Sequence, residues 1–292
     1  MSSIPVTRAA HLFHGNGLWL DTEWKALLET TGIEAGSNWR ELSGSDLVSG
    51  SYNTTSNYRF RLGSGETVFF KRYVYRKPKL KYWLQPSKAA VEAAGYNDLK
   101  RLGIETLQTL AYGEQRWLGF LKASFIVTLG IENTVELDQY LAREWFGLQP
   151  DEKRRQLNSI QPTLIRQLHV AHHAGFFHWD LKLRNILLLK DGSHSNLIWI
   201  DCPRSRLKKP NDSKSIIQDL AAMARVGVRV LTRGQRIRFL LDYSNGDRKT
   251  ARELYRQVAV VLAKNPPRPF WHLLPKDDPV YLAEIEKWQG PR

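Results

Sequence analysis

The chain has 292 residues, of which 42 % are hydrophobic and 25 % are charged, as is usual for a globular protein with a large buried core. Its net charge of +14 and its isoelectric point near 9.8 are unusual, and they predict an anionic partner: nucleic acid, an acidic membrane surface or a phosphate-rich substrate. The single cysteine, Cys202, excludes an internal disulfide and a cysteine-based zinc cluster, and no apolar run approaches the roughly 18 residues of a spanning helix. Residues 1–8 lack the apolar segment of a secretory signal, so we expect a cytoplasmic protein that meets membranes only at their surface.

The first part of the chain predicts a small α+β lobe at residues 46–130, preceded by an N-terminal extension, residues 1–45, without a catalytic pattern. Period-two alternation on either side of a Gly-Ser-Gly turn indicates a hairpin. The predicted elements are a short helix at 21–31, strands at 52–62 and 66–73, a helix at 88–101 with Ser87 as its N-cap, and strands at 109–112 and 118–129.

The rest of the chain, residues 131–292, predicts a helical lobe that follows a hinge near 129–136. The predicted helices are one containing Leu137, Tyr140 and Leu141, and others at 154–174 (ended by Gly175), 215–233, 250–264 and 279–288. The expected fold is therefore α+β and bilobal, with a small strand-rich lobe followed by a larger helical one.

The segment from His178 to Asn185 carries the residues that phosphoryl transfer needs. Asp180 predicts the base or proton-orienting carboxylate of a kinase, and Asn185 and Asp201 predict the oxygen ligands of Mg²⁺. Asp201 follows an apolar strand, which makes the pattern more specific than a chance match. Lys182 either neutralises charge on the transferred phosphoryl group or is a surface lysine, and the sequence leaves both open.

Two residues earlier in the chain predict the nucleotide-binding pair. Lys71 lies inside an apolar strand and Glu92 lies on the following helix, so Lys71 would hold the ATP phosphates while Glu92 anchors it. The loop that would cover the phosphates, with Gly50 and Ser51, has one glycine where a G-x-G-x-x-G pattern has three.

Further carboxylate and imidazole groups have structural interpretations. In kinases, a carboxylate at the place of Asp219 hydrogen-bonds the backbone of the catalytic loop. His169, His172 and His173 lack the H-E-x-x-H arrangement of a zinc site, and His178 is expected to pack beneath the catalytic loop.

These motifs, over about residues 50 to 230, resemble the lipopolysaccharide core kinases, the heptose and Kdo kinases with a protein-kinase-like fold. The resemblance is carried by Phe70-Lys-Arg-Tyr73, Arg101-Leu-Gly-Ile-Glu-Thr106, His178-x-Asp-Leu-Lys-x-x-Asn185 and Ile200-Asp-Cys-Pro-Arg204. It implies Mg²⁺- and ATP-dependent phosphorylation of an inner-core sugar hydroxyl at the cytoplasmic face of the inner membrane. Protein kinases have arginine and glycine where this chain has Trp179 and Pro203, which favours an enzyme not switched by activation-loop phosphorylation.

The excess of basic residues is expected to bind anionic groups of the substrate and of the membrane. Residues 71–83 mix cations with aromatic residues, and Arg204, Arg206, Lys208 and Lys209 follow Asp201. Such residues would favour lipopolysaccharide core or another anionic glycolipid as substrate, together with the anionic inner-membrane surface. Tyr75, Tyr82, Trp83 and Leu84 are candidates for the lipid interface.

Three alternatives remain open from the sequence. An atypical RIO-like protein serine kinase shares the metal residues, although no RNA-reading motif is present and we expect no nucleic-acid partner. An antibiotic phosphotransferase would have an acidic substrate site, and a pseudokinase would lack catalytic residues that this chain retains.

Overall fold

The computed structural model describes residues 2–33, 46–51, 55–143, 147–190 and 196–264, together with residues 266, 279, 282 and 283. The chain forms two compact units. The first contains the described residues up to Glu132 and the segment Asp201–Ser205, and the second contains Asn133–Ile200 and the described residues from Arg206 onward.

The first unit is a seven-stranded sheet with one long helix. Its elements are β1 (Ser2–Ser3), β2 (Gly15–Leu20), α1 (Lys25–Glu29), β3 (Asp46–Ser51), β4 (Thr55–Arg61), β5 (Thr67–Val74), α2 (Lys88–Arg101), β6 (Thr109–Trp117) and β7 (Phe120–Leu129). The strand order is β1-β2-β6-β7-β5-β4-β3, and every pair except β1–β2 is antiparallel.

The predicted hairpin and helix of this unit are confirmed with small shifts in their ends. Helix α2 begins after Ser87, whose hydroxyl accepts a hydrogen bond from the Ala90 amide at 3.1 Å, so the predicted N-cap is correct. One face of the sheet packs a core in which Val68, Phe70 and Phe125 are fully buried. Alternation along β5 therefore directs Lys71 and Tyr73 to the opposite face.

The residues that the sequence suggested as an N-terminal extension take part in this sheet. Strand β2 pairs with β6 along its whole length, from Gly15 opposite Arg116 to Leu20 opposite Ala111. The sequence did not predict β2, because this short apolar run pairs with a strand about a hundred residues later, and no local pattern reveals that pairing. Trp39 and its neighbours, residues 34–45, lie outside the described part of the chain.

The second unit is mainly helical. Its elements are β8 (Thr134–Glu136), α3 (Leu137–Arg143), α4 (Pro150–His173), β9 (Phe176–Phe177), β10 (Ile186–Leu189), β11 (Leu197–Trp199), β12 (Arg206–Leu207), α5 (Ser213–Val230), α6 (Arg233–Tyr243) and α7 (Arg248–Lys264). Strands β8, β10 and β11 form a small sheet, and β9 pairs with β12.

The predicted helices at 154–174, 215–233 and 250–264 are confirmed as α4, α5 and α7, whereas α6 was not predicted. Helix α4 starts four residues earlier than expected because Pro150 fills its first turn, and it ends before Gly175, which has φ +78°. The predicted helix at 279–288 lies almost entirely outside the described residues. Of the helices described, none has the length and apolar character needed to cross a membrane.

Candidate active site

In the first unit, Lys71 bridges two carboxylates. Its ammonium nitrogen lies 3.1 Å from Glu92 Oε1 and 2.5 Å from Asp201 Oδ1. Burial alone would lower the pKa of Lys71, but the two carboxylates outweigh it and hold the pKa above its usual value. The ammonium group therefore stays charged throughout the range in which a protein works.

Glu92 is held by hydroxyl groups as well as by Lys71. Its carboxylate accepts hydrogen bonds from Tyr73 at 2.6 Å and from Tyr96 at 2.8 Å. Burial, and then the charge of Glu92, raise the pKa of both tyrosines well above the usual value, so both remain hydrogen-bond donors. Tyr96 lies one turn after Glu92 on α2, which places both side chains on one helix face.

Tyr96 also contacts the segment that carries Asp201. The Asp201 amide donates to the Tyr96 hydroxyl oxygen at 3.0 Å, and Asp201 itself has φ +58°, a conformation that few residues other than glycine adopt. One phenol thus joins the carboxylate that anchors Lys71 to the backbone of the proposed metal ligand.

The rest of this segment packs closely on α2 at Gly95. A Cβ at this position would lie 2.6 Å from Cys202 Sγ and 2.9 Å from Ser205 Oγ, so the approach requires glycine. Burial raises the pKa of the Cys202 thiol, which therefore stays protonated. Arg8 also links this segment to α2, because its guanidinium lies 3.0 Å from both Asp98 Oδ2 on α2 and Ser205 Oγ.

In the second unit, Asp180, Lys182 and Asn185 belong to one loop. The Lys182 ammonium lies 2.8 Å from Asp180 Oδ1, so the two side chains form an ion pair. Asn185 is buried, and its amide nitrogen donates to the Asp180 carbonyl at 2.8 Å. The Ile200 amide donates to the Asn185 carbonyl at 2.9 Å, which ties the loop to the end of β11.

Asp219 supports this loop from beneath, as the sequence predicted. Its carboxylate is fully buried and accepts hydrogen bonds from the amides of His178 at 2.9 Å and Trp179 at 2.7 Å. His178 is buried, with Nε2 3.0 Å from the Ile200 carbonyl oxygen. His169 and His172 contact the backbone carbonyl and the hydroxyl of Tyr243 respectively, so both have structural partners.

The two predicted metal ligands have suitable chemistry for Mg²⁺. The Asn185 amide nitrogen is engaged by a carbonyl, so the amide oxygen is the atom that can coordinate a cation. Asp201 presents a carboxylate whose side chain is 36 % exposed. Hard oxygen donors of this kind suit Mg²⁺ rather than zinc.

The predicted phosphate-covering residues lie at the end of a strand. Gly50 pairs with Ser56 and Ser51 with Thr55 in the β3–β4 pair, and residues 52–54, which include Tyr52 and Asn53, are outside the described part. Their contact with ATP stays a prediction.

Sequence reasoning missed three residues of this site. Tyr73 and Tyr96 were interpreted only as parts of a strand and a helix, and Arg8 as part of an extension. Spacing could have indicated the tyrosines, since Tyr73 shares the strand face of Lys71 and Tyr96 the helix face of Glu92. No local pattern indicates Arg8.

Comparison with known proteins agrees with these motifs. The model of the lipopolysaccharide kinase (Kdo/WaaP) family matches residues 69–243, more than half of the chain. The chain belongs to this family. The match contains Lys71, Glu92, Asp180, Asn185 and Asp201, so the resemblance predicted from the motifs is confirmed.

Two family members are named lipopolysaccharide core heptose(I) kinase WaaP. The one from Pseudomonas aeruginosa is 29 % identical over 170 residues, covering 56 % of this chain and 61 % of the relative. The one from Escherichia coli K12 is 31 % identical over 91 residues, 31 % of this chain and 33 % of the relative. The chain thus spans less than two thirds of the length of these relatives.

A solved structure of WaaP in complex with acyl carrier protein shares the fold. Its TM-score is 0.63 at 26 % identity, and the match covers 85 % of this chain and 95 % of that one. The predicted fold class, α+β and protein-kinase-like, is confirmed.

Proposed function

We propose that the protein is an ATP-dependent kinase that phosphorylates a sugar hydroxyl of the lipopolysaccharide inner core. The observation that carries the proposal is Lys71 held between Glu92 and Asp201, because a charged lysine anchored by one carboxylate beside a second, metal-binding one is what nucleotide triphosphates require. Membership of the family and the retained Asp180 and Asn185 support it.

In the proposed reaction, Lys71 binds the ATP phosphates, and Glu92 keeps its ammonium group in position. Asn185 and Asp201 would hold Mg²⁺, which would supply charge neutralisation on the phosphates. Asp180 orients the acceptor hydroxyl and takes its proton. Lys182, paired with Asp180, balances the charge near the transferred group.

For the acceptor we propose a heptose, because both named relatives are heptose(I) kinases. The family description also includes Kdo, which makes it the second candidate sugar. A protein serine acceptor of the RIO-like type is not favoured by these relatives.

We further propose that acyl carrier protein is a partner. The solved WaaP structure contains it, and the second unit of this chain has an apolar cavity of about 210 Å³. A smaller apolar cavity, of about 150 Å³, is known to hold benzene. The cavity is lined from five helices, α3 to α7, mostly by leucine, isoleucine and valine, and a fatty-acyl chain matches this lining.

We also propose that the protein works on the surface of the inner membrane. Leu80, Trp83, Leu84, Trp117 and Leu118, called here the interfacial patch, are exposed apolar residues of the first unit. The Trp83 indole donates to the Leu118 carbonyl at 3.2 Å, which joins the two parts of the patch. Exposed Lys77, Lys79 and Lys81 lie within the same segment, so both the apolar contact and the charge suit anionic lipid. Tyr75, expected at the interface, is buried instead, and its hydroxyl accepts from the Lys88 amide.

The test is transfer of labelled γ-phosphate from Mg²⁺-ATP to core lipopolysaccharide stripped of phosphate, with and without acyl carrier protein. We expect Asp180→Ala to lower the rate by about 10²- to 10⁴-fold, because it removes the proton-accepting group. Asp151→Ala, at an exposed aspartate on α4, is the matched control and should keep the full rate. Label on casein or on the kinase itself, with none on the glycolipid, would contradict the proposal.

A further inference from the structure

The catalytic loop carries an aromatic side chain that is covered by cations. The Arg206 guanidinium carbon lies 3.7 Å from the centre of the Trp179 ring, and the Lys208 ammonium lies 5.2 Å from it. At 3.7 Å the guanidinium is in van der Waals contact with the indole face, a favourable cation–π arrangement. Trp179 directly precedes Asp180.

The pairing of two short strands explains this arrangement. In the β9–β12 pair, Arg206 lies opposite Phe177 and Leu207 opposite Phe176. The chain after Ser205 is thereby held beside the residues that lead into Trp179. Because side chains alternate along an extended segment, Arg206 and Lys208 share one side.

The indole is a rigid platform. Trp179 has φ +62°, which costs a residue other than glycine roughly 1–2 kcal/mol. Its amide donates to Asp219 Oδ1 at 2.7 Å, and its indole N–H donates to Ser215 Oγ at 3.1 Å. Both partners belong to α5 and are fully buried, so they hold the ring in one orientation.

The N–H groups of the Arg206 guanidinium are accessible to a ligand. Arg206 is exposed, and within the described residues its contact is with the Trp179 ring, with no hydrogen bond or ion pair to a carboxylate. The Lys208 ammonium forms an ion pair with Asp212 Oδ2, at the longer distance of 3.4 Å. A guanidinium that stacks by its face keeps its N–H groups directed outward, and this fork matches carboxylate and phosphate oxygens.

We propose that Arg206 and Lys208, supported by Trp179, bind an anionic group of the acceptor, a sugar carboxylate or phosphate. This inference rests on the proposed function, since it assumes that Asp180 orients the hydroxyl to be phosphorylated. Trp179, which supports the anion-binding cations, and Asp180, which orients the hydroxyl, are consecutive residues. Lys182 neutralises Asp180, so the carboxylate does not repel the incoming anion.

The first test needs no turnover. The indole N–H signal of Trp179, assigned by its loss in Trp179→Phe, is followed by NMR during titration with inorganic phosphate, glucuronate or uncharged glucose at constant ionic strength. We expect a saturable shift with phosphate or glucuronate, none with glucose, and none in Arg206→Gln. The more effective anion identifies the group that the site takes. Arg252→Gln, at an exposed arginine of α7, is the matched control and should retain the shift.

An absent shift, or an equal shift in Arg206→Gln, would overturn the inference whatever the outcome of the kinase assay. With a phosphorylatable acceptor, Arg206→Gln should raise the acceptor KM by about 10- to 100-fold while the ATP KM stays constant. Arg206→Lys should recover part of the loss. A lower kcat at unchanged acceptor KM would point to a structural role of the stack instead.

Discussion

The carboxylate of Glu92 accepts hydrogen bonds from Lys71, Tyr73 and Tyr96 in a fully buried setting. A buried carboxylate is tolerated only when it is paired and hydrogen-bonded, and these three donors meet that requirement. Tyr96 differs from Tyr73 in one respect, since its oxygen also accepts from the Asp201 amide. Tyr96 is therefore a positioning residue for the proposed metal ligand.

This difference predicts unequal effects of two matched variants. Both Tyr73→Phe and Tyr96→Phe remove one bond to Glu92, and each should lower the free energy of unfolding by about 1–3 kcal/mol. Only Tyr96→Phe leaves the Asp201 amide without its partner. We expect Tyr96→Phe to raise the Mg²⁺ concentration for half-maximal activity several-fold, with a smaller change in Tyr73→Phe.

Denaturant unfolding and Mg²⁺ titration of the kinase rate measure the two quantities separately. Equal Mg²⁺ midpoints in the two variants would mean that the Tyr96–Asp201 hydrogen bond does not position the ligand. A loss of stability alone would then be the whole effect of either substitution.

At this scale the sequence predicts the charged groups and misses the groups that hold them. Lys71, Glu92 and Asp219 were predicted because their positions match the phosphate-binding lysine, its carboxylate anchor and the loop-supporting carboxylate of kinases. Tyr73 and Tyr96 are equally compatible with an ordinary core. Both hydroxyls donate to Glu92, which lies on a different element from Tyr73 and one helical turn before Tyr96, and only Tyr96 also accepts a hydrogen bond from the distant Asp201 amide.

In the helices of the second unit, too, some features have a local sequence pattern and others depend on residues far apart in the chain. Helix α6 carries a local one, the capping box formed by Thr232 and Gln235, which the sequence interpretation overlooked. The apolar cavity, by contrast, has no signature in any single helix. It results from gaps among side chains of α3 to α7, so several helices must be packed together before it exists.

Gly227 on α5 offers a way to fill this cavity without damaging the fold. It is buried and lines the cavity, and a Cβ there would meet only Leu231 Cδ1, at 4.0 Å. Since glycine costs a helix about 1 kcal/mol relative to alanine, Gly227→Ala should not lower Tm. Gly227→Leu places a longer side chain in the proposed acyl site. We therefore expect the binding of acyl carrier protein that carries a long acyl chain to weaken at least about tenfold.

Affinity for acyl carrier protein with and without its acyl chain, alongside Tm, is the measurement. Gly227→Ala should keep the preference for the acylated form. Equal binding of the acylated form by wild type and Gly227→Leu would show that the chain enters elsewhere, and a large fall in Tm would show that the cavity is part of the core.

Over the whole molecule, the net charge of +14 predicts attraction to anionic surfaces but not where contact occurs. The structure locates exposed apolar residues next to lysines in the interfacial patch. Leu80 is 81 % exposed, so it contributes little to the core and can be changed without affecting the fold. The sequence suggested Tyr75, Tyr82, Trp83 and Leu84 for this role. Trp83 and Leu84 are exposed, whereas Tyr75 is buried, because alternation on an irregular segment does not reveal which rings turn inward. Tyr75 is buried against the chain and packs edge-on against Tyr82, with their ring centres 5.2 Å apart.

We expect the protein to sediment with vesicles containing phosphatidylglycerol, and much less with pure phosphatidylcholine. Binding should decrease as salt rises, since each lysine near the surface contributes about 1 kcal/mol that ions screen. Leu80→Ser should weaken binding several-fold through lost apolar contact, and Lys79→Gln with Lys81→Gln should weaken it further and reduce its salt dependence. Val260→Ser, at an exposed apolar residue of α7, is the matched control and should bind like wild type. Equal binding by Leu80→Ser and wild type would remove the interfacial patch from the contact, and binding insensitive to lipid charge would leave the positive charge without a membrane role.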